Sequence, residues 1–203
     1  GDFVDRGDEG LDVLETIKRL QTQARAAGGD VVALTGNHDA LMVAAARGLQ
    51  KGNMGGDVAA NLLGNGGVMA EAEQLAKNPA LLEWLSKNPL MQLVDGDLYV
   101  HADGLAFYQG LGKNIDEVNA NAAKLMQSPD GAFKVFSDMT DARDWTAADV
   151  DALLKQYGGE RVIHGHSRHE GNAAKIYANG RAVNIDSSLS KGYQPNNAGR
   201  GHL

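Results

Sequence analysis

Polar clusters at the ends of short apolar runs constrain this chain more than any other feature. Val31-Val32-Ala33-Leu34 runs straight into Thr35-Gly36-Asn37-His38-Asp39, and a helix-like segment, Ala40–Arg47, follows at once. Strand, glycine turn and helix in that order is the α/β arrangement, which gathers polar side chains at strand ends. The pattern recurs: Asp97–Val100 leads to His101 and Asp103, and Arg161–Ile163 leads to His164, Gly165 and His166. A fourth cluster, Asp2/Asp5/Arg6, lies between glycines at the start of the chain. Four such clusters call for a fold that brings strand ends to one edge, where α/β proteins place ligands.

The rest of the chain supports that class. Leu11, Leu14, Ile17, Leu20 and Ala24 predict an amphipathic helix over residues 9–27, with Asp8 as its N-cap and Gly28-Gly29 as its end. Residues 48–67 are rich in glycine and asparagine and read as an irregular insertion or lid. With the helical stretches 68–77 and 80–87 they make up an expected variable cap, residues 48–90. Helices are expected at 115–127 and 146–157, around a less regular middle. Strands are expected at 97–101, 161–164, 174–178 and 182–185, the last two joined by the hairpin signal Asn179-Gly180. The chain is expected to form a single domain over residues 1–190, with a polar, frayed tail at 191–203.

Composition narrows the chemistry. The chain has 203 residues, 19 Lys and Arg against 26 Asp and Glu, and a net charge of −7. That balance argues against binding a nucleic-acid backbone, which needs clustered cations. With no cysteine, thiol nucleophiles, disulfides and Cys-zinc sites are excluded. No apolar stretch approaches the roughly 18 residues of a membrane span. The compartment stays open. What remains at the strand ends is Asp, Asn and His, an oxygen and nitrogen ligand set suited to Mn, Fe, Zn or Mg. One Asp could bridge two ions about 3.5–4 Å apart, the usual clamp for in-line displacement at phosphorus.

Taken singly, each cluster has a plainer explanation. Asp2/Asp5/Arg6 could be a solvated turn before a helix, Asn37-His38-Asp39 a helix cap, and His101 a half-buried histidine. His164, two residues before His166, would point to the opposite side of a continuing strand and is left out of the ligand set. His169 reads as an exposed loop residue, and Tyr99, Trp84 and Trp145 as packing residues. Caps and stray histidines do not explain four clusters in one order.

In order, Gly1-Asp2-Phe3-Val4-Asp5-Arg6-Gly7 resembles the GDxVDRG motif of the calcineurin-like metallophosphoesterases, in the form used by phosphoprotein phosphatases. Gly36-Asn37-His38-Asp39 is similar to their GNH[D/E] motif, and Gly165-His166-Ser167 to their GH[S/T] motif. His101 corresponds to the strand-end histidine between them. The resemblance covers essentially the whole chain and implies a mixed two-sheet β-sandwich flanked by helices. It implies a phosphoester hydrolase with two divalent ions, manganese first and iron, zinc, nickel or magnesium after it. Asp2 would bridge them, and Asn37, His101 and His166 would complete one site. His38 would protonate the leaving oxygen with Asp5 orienting it, while Arg6, Asn37 and Arg143 would bind the phosphate. The nucleophile implied is a metal-bound hydroxide.

The family's opening DxH motif has no counterpart here, so the chain reads as a fragment lacking its first strand, with one metal site complete, and the activity implied is the parent protein's, not assured for the fragment itself. A Ser/Thr phosphoprotein phosphatase is the leading expectation. A bis(5′-nucleosyl)-tetraphosphatase or other small-molecule phosphoesterase is the alternative, and a degenerate, non-catalytic fold the second. The expected partner is a phosphorylated protein or a small phosphoester.

Overall fold

The computed structural model describes residues 1–7, 9–48, 57–143, 145–169 and 173–187. These fall into two compact units: Gly1–Pro89 with Ala122–Ser137, and Leu90–Asn121 with Asp138 onward.

The first unit is helical: α1 (Gly10–Ala26), α2 (Asn37–Ala46), α3 (Val58–Gly64), α4 (Met69–Ala76) and α5 (Pro79–Ser86). Beyond its first turn, Asn37-His38-Asp39, helix α2 is apolar on every side, and Asn37 through Ala45 are all buried. A helix of that kind belongs inside a core, and α3, α4 and α5 pack around it. Helix α1 turns Leu14 and Gln21 inward while Leu20 is exposed. Gln21 takes the inner place because its Oε1 accepts the indole N–H of Trp84 on α5 at 2.8 Å. The expected cap of α1, Asp8, lies outside the described residues, as do residues 49–56 and the tail 191–203.

Two expectations change in this unit. Val31–Leu34 forms no strand, although Val32 is exposed and Ala33 buried as alternation requires. A strand needs a partner for its amides, and no described segment forms a ladder with it. Its end is pinned instead by Thr35, whose N–H donates to Pro89 O and whose hydroxyl donates to Asn88 O. The second change is in the 48–67 stretch, which contains helix α3. Asp57 caps it by accepting the Ala60 N–H at 3.0 Å, and Val58 and Leu62 are buried.

The second unit holds one mixed sheet of five strands: β1 (Met91–Val94), β2 (Asp97–Val100), β3 (Arg161–His164), β4 (Lys175–Tyr177) and β5 (Ala182–Asn184). The spatial order is β1-β2-β3-β5-β4, with β2, β3 and β5 parallel and the two edge strands antiparallel. One face is closed by Leu98, Val162 and Ala182, none of them exposed, and α9 (Ala147–Tyr157) packs against β3. Helix α6 (Leu105–Leu111) packs on α9. The α/β class with a mixed sheet and flanking helices is as expected; the described residues form this one sheet.

Helices α7 (Ile115–Leu125) and α8 (Pro129–Thr140) each run from one unit into the other. Helix α8 occupies the middle that looked irregular, with Phe133, Phe136 and Met139 buried. The Asn179-Gly180 signal does mark the β4–β5 hairpin. Its loop is a single 3-10 turn in which Ala178, Asn179 and Gly180 all have positive φ. Among the described residues no helix is long and apolar enough to cross a membrane.

Candidate active site

In the first unit, the loop Asp2–Gly7 lies against the start of α2, and the bonds between them come from a few charged side chains. The Asp39 carboxylate accepts the N–H groups of Asp2 (2.9 Å), Phe3 (2.9 Å) and Gly36 (2.8 Å). Burial and the nearby Asp2 carboxylate push Asp39 upward, while the Gly36 and Phe3 amides pull it down. In return, Asp2 Oδ1 accepts the His38 N–H at 3.0 Å, a carboxylate at the positive end of α2. Gly36 makes this approach possible, since a Cβ there would collide with the Asp2 carboxylate and amide.

His38 sits at the centre of the loop. Its Nδ1 is 2.7 Å from Asp5 Oδ2, and Nη2 of Arg6 is 3.2 Å from its Nε2. A guanidinium only donates, so Nε2 is an acceptor in this arrangement and the ring proton lies on Nδ1 toward Asp5. Burial lowers the His38 pKa, but the Asp5 bond and the charges of Asp2 and Asp5 outweigh it, leaving it above the ordinary histidine value. Burial likewise pushes the Asp5 carboxyl up, against the bond and charge of His38.

The loop is held in an uncommon conformation. Asp2, Asp5 and Arg6 have φ of 62°, 69° and 57°, in the left-handed region that residues other than glycine rarely occupy. Such geometry persists where neighbours over-determine it, and it clusters at functional sites. Here the neighbour is the turn after α3. Gly66 O accepts the Arg6 N–H at 3.0 Å, and a Cβ on Gly67 would strike Asp5 Oδ1 and Leu62. Glu71 of α4 accepts the Gly10 N–H at 3.0 Å, placing a carboxylate at the N-terminus of α1.

In the second unit, the parallel strands β2, β3 and β5 end side by side. Their carboxyl ends deliver His101 and Asp103, His166 and Ser167, and Asn184. The β2 turn is fixed by buried Tyr108, whose hydroxyl accepts from Ala102 N and donates to Ala102 O. Ser167 Oγ donates to Asp103 Oδ1 at 2.6 Å, and Gly165 N–H donates to His101 O at 3.0 Å. The His101 and His166 rings stand edge to face with centroids 5.1 Å apart. His166 has φ 65°, again left-handed. Its Nε2 faces Thr140 O at 3.3 Å, and a carbonyl only accepts, so that nitrogen carries the proton and Nδ1 keeps a lone pair. A ligating histidine shows this pattern. Arg143 donates from Nε to Thr140 O (3.2 Å) and from Nη1 to His166 O (2.8 Å).

Asp2, Asp5, Arg6, Asn37 and His38 thus gather in one unit, and His101, Arg143 and His166 in the other. Several residues at these places were not legible as site residues. Gly66 and Gly67 show in the sequence only as part of a glycine-rich stretch, and Asn184 only as the end of an apolar strand. His164, set aside as bland, bonds the turn that carries His166. His169 is half-buried rather than exposed, its N–H held by Asp186 O.

A model of the calcineurin-like phosphoesterase family matches residues 1–169. No curated protein matches the chain. Among solved structures, a cold-active protein tyrosine phosphatase is similar at TM-score 0.64 and 20% identity, over 94% of this chain and 58% of that one. A structure of the cold-active protein-tyrosine phosphatase of a psychrophile, Shewanella sp., gives TM-score 0.65 and 20% identity, over 94% and 59%. At that identity the likeness is one of fold, and the chain spans under two thirds of the length of either.

Proposed function

The chain belongs to the calcineurin-like phosphoesterase family, a family of metal-dependent phosphoesterases, and from that premise we propose that it hydrolyses phosphoserine and phosphothreonine in proteins. The observation that carries this reading is the Asp5–His38–Arg6 chain of contacts, at 2.7 and 3.2 Å. An alkyl phosphate has a poor leaving group and needs an acid; an aryl phosphate barely does. A histidine backed by a buried carboxylate is that acid.

Asp2, Asn37, His101 and His166 are the proposed metal ligands. The donor set fits: a carboxylate and an amide oxygen with two imidazoles suit an intermediate divalent ion, and His166 already gives its other nitrogen to a carbonyl. Manganese would be the first choice for this set, and a second ion would share the Asp2 carboxylate. Bound there, such ions supply Lewis acidity, polarising phosphoryl oxygens and acidifying a water.

The side chains do the rest. Arg6 leaves Nε2 of His38 for the phosphoryl oxygens, which a guanidinium grips in bidentate fashion. Nε2 then takes a proton, favoured by the Asp5 and Asp2 carboxylates, and passes it to the serine or threonine oxygen as a water oxygen bonds to phosphorus and the ester P–O bond breaks. Asp5 keeps the ring aligned throughout. Asn37, and Arg143 through its outer nitrogen, are further proposed contacts to the phosphate. Residues 48–90 are proposed to shape substrate choice.

The test is turnover by the Mn²⁺-loaded chain of a phosphoserine peptide, a phosphotyrosine peptide and a dinucleoside tetraphosphate. The phosphoserine peptide is expected to lead in kcat/KM. A tetraphosphate turned over faster would replace the protein substrate with a nucleotide one.

A further inference from the structure

Gly165, His166 and Ser167 leave β3 with left-handed backbone at His166; Gly165 O accepts the Ser167 N–H at 2.7 Å, and each of the three carbonyls is also held by a side chain. Nδ1 of His164 lies 2.9 Å from Gly165 O, Nη1 of Arg143 donates to His166 O at 2.8 Å, and Nδ2 of Asn184 donates to Ser167 O. A carbonyl only accepts, so His164 carries its proton on Nδ1. Its Nε2 lies 2.7 Å from the Tyr177 hydroxyl of β4. His164 is 1% exposed, and with Nδ1 donating to the carbonyl its Nε2 is left to the Tyr177 hydroxyl, which orients the ring. The Trp145 and Tyr177 rings pack on it, with centroids 5.2 and 5.8 Å away. A phenylalanine keeps a ring in this space but offers neither nitrogen. The histidine therefore matters for its N–H.

We propose that His164, oriented by Tyr177, is a positioning residue for His166: it holds the Gly165 carbonyl, and with it the left-handed turn that presents the His166 imidazole to a divalent cation. This rests on the assignment of His166 as a ligand made above.

The experiment measures Mn²⁺ dissociation constants for the native chain and for Tyr177→Phe, His164→Phe, His164→Asn and His166→Ala. Thermal midpoints of the metal-free forms and ¹⁵N spectra of the histidine-labelled native chain accompany them. Tyr177→Phe removes one oxygen and leaves Nε2 of buried His164 without its partner; it is expected to weaken Mn²⁺ about tenfold while lowering the metal-free midpoint only slightly. His164→Phe should weaken it at least as much. His164→Asn, whose amide can reach the same carbonyl, should recover part. The native spectrum should show His164 protonated on Nδ1. A proton on Nε2 overturns the proposal. So does native Mn²⁺ affinity in Tyr177→Phe and His164→Phe while His166→Ala loses it. If His166→Ala itself binds Mn²⁺ as the native chain does, the ligand assignment is what fails. Should His164→Phe not fold, Tyr177→Phe decides alone.

Discussion

His38 has one partner that wants its proton and one that wants its lone pair, and that tension sets the residue-scale predictions. Removing the ring should leave phosphate binding largely intact while the leaving oxygen loses its acid. His38→Ala is therefore expected to lower kcat on a phosphoserine peptide by roughly 10²–10⁴, with a much smaller loss on an aryl phosphate. Equal losses on both would contradict the acid role. Asp5→Asn keeps a hydrogen-bond acceptor at Nδ1 but removes the charge that favours the imidazolium. It should fall between native and His38→Ala on the phosphoserine peptide, and close to native on the aryl ester. At this scale the sequence was most informative, because Asp2, Asp5, Arg6, Asn37 and His38 stand in short motifs whose members are neighbours in space as well as in the chain. His164 was misjudged for an equally local reason. Strand alternation says which way a side chain points, but His164 bonds the backbone of the next residue, which alternation does not describe.

Between elements, backbone amides and carboxylates do the joining, and here prediction from periodicity weakens. The Asp39 carboxylate serves three amides from two segments. Asp39→Asn leaves a single oxygen for them, so it should destabilise the chain by about 1–3 kcal/mol in urea unfolding. An unchanged midpoint would mean that these amides have other acceptors in solution. The turn after α3 is tied to the Asp2–Gly7 loop by a different device, the close approach of Gly67 to Asp5. Gly67→Ala should push Asp5 off His38 and depress kcat more than stability. A fall in thermal stability with kcat intact would show the contact to be packing alone. Neither device was visible beforehand. Helix α3 was hidden in a glycine-rich stretch because its Asp57 cap and two buried side chains are too short a signal for periodicity. Val31–Leu34 looked like a strand because its composition is right, yet a ladder depends on a second segment. The β4–β5 hairpin, whose turn residues dictate left-handed backbone, was legible at once.

For the whole molecule, the order of the motifs carried the fold class, since parallel strands with polar residues at one end admit few other solutions. How the chain divides was not legible, because α7 and α8 cross between units without any break in composition. The proposed ligands are spread from Asp2 to His166, so an ion held by them closes long stretches of chain that the unfolded state leaves open. Binding only to the folded form at a hundredfold excess over Kd is worth about 2.7 kcal/mol. For a chain of this size that is a rise of roughly 5–10 °C in the unfolding midpoint. Mn²⁺ is therefore expected to raise the midpoint by that amount, and a chelator to reverse it. His166→Ala and Asp2→Ala should each abolish the shift, Asp2→Ala also lowering the metal-free midpoint because the His38 N–H loses its acceptor. A shift that survives in both variants would place the ion elsewhere on the molecule. One that disappears in Asp2→Ala alone would confine the site to the loop before α1 and the start of α2.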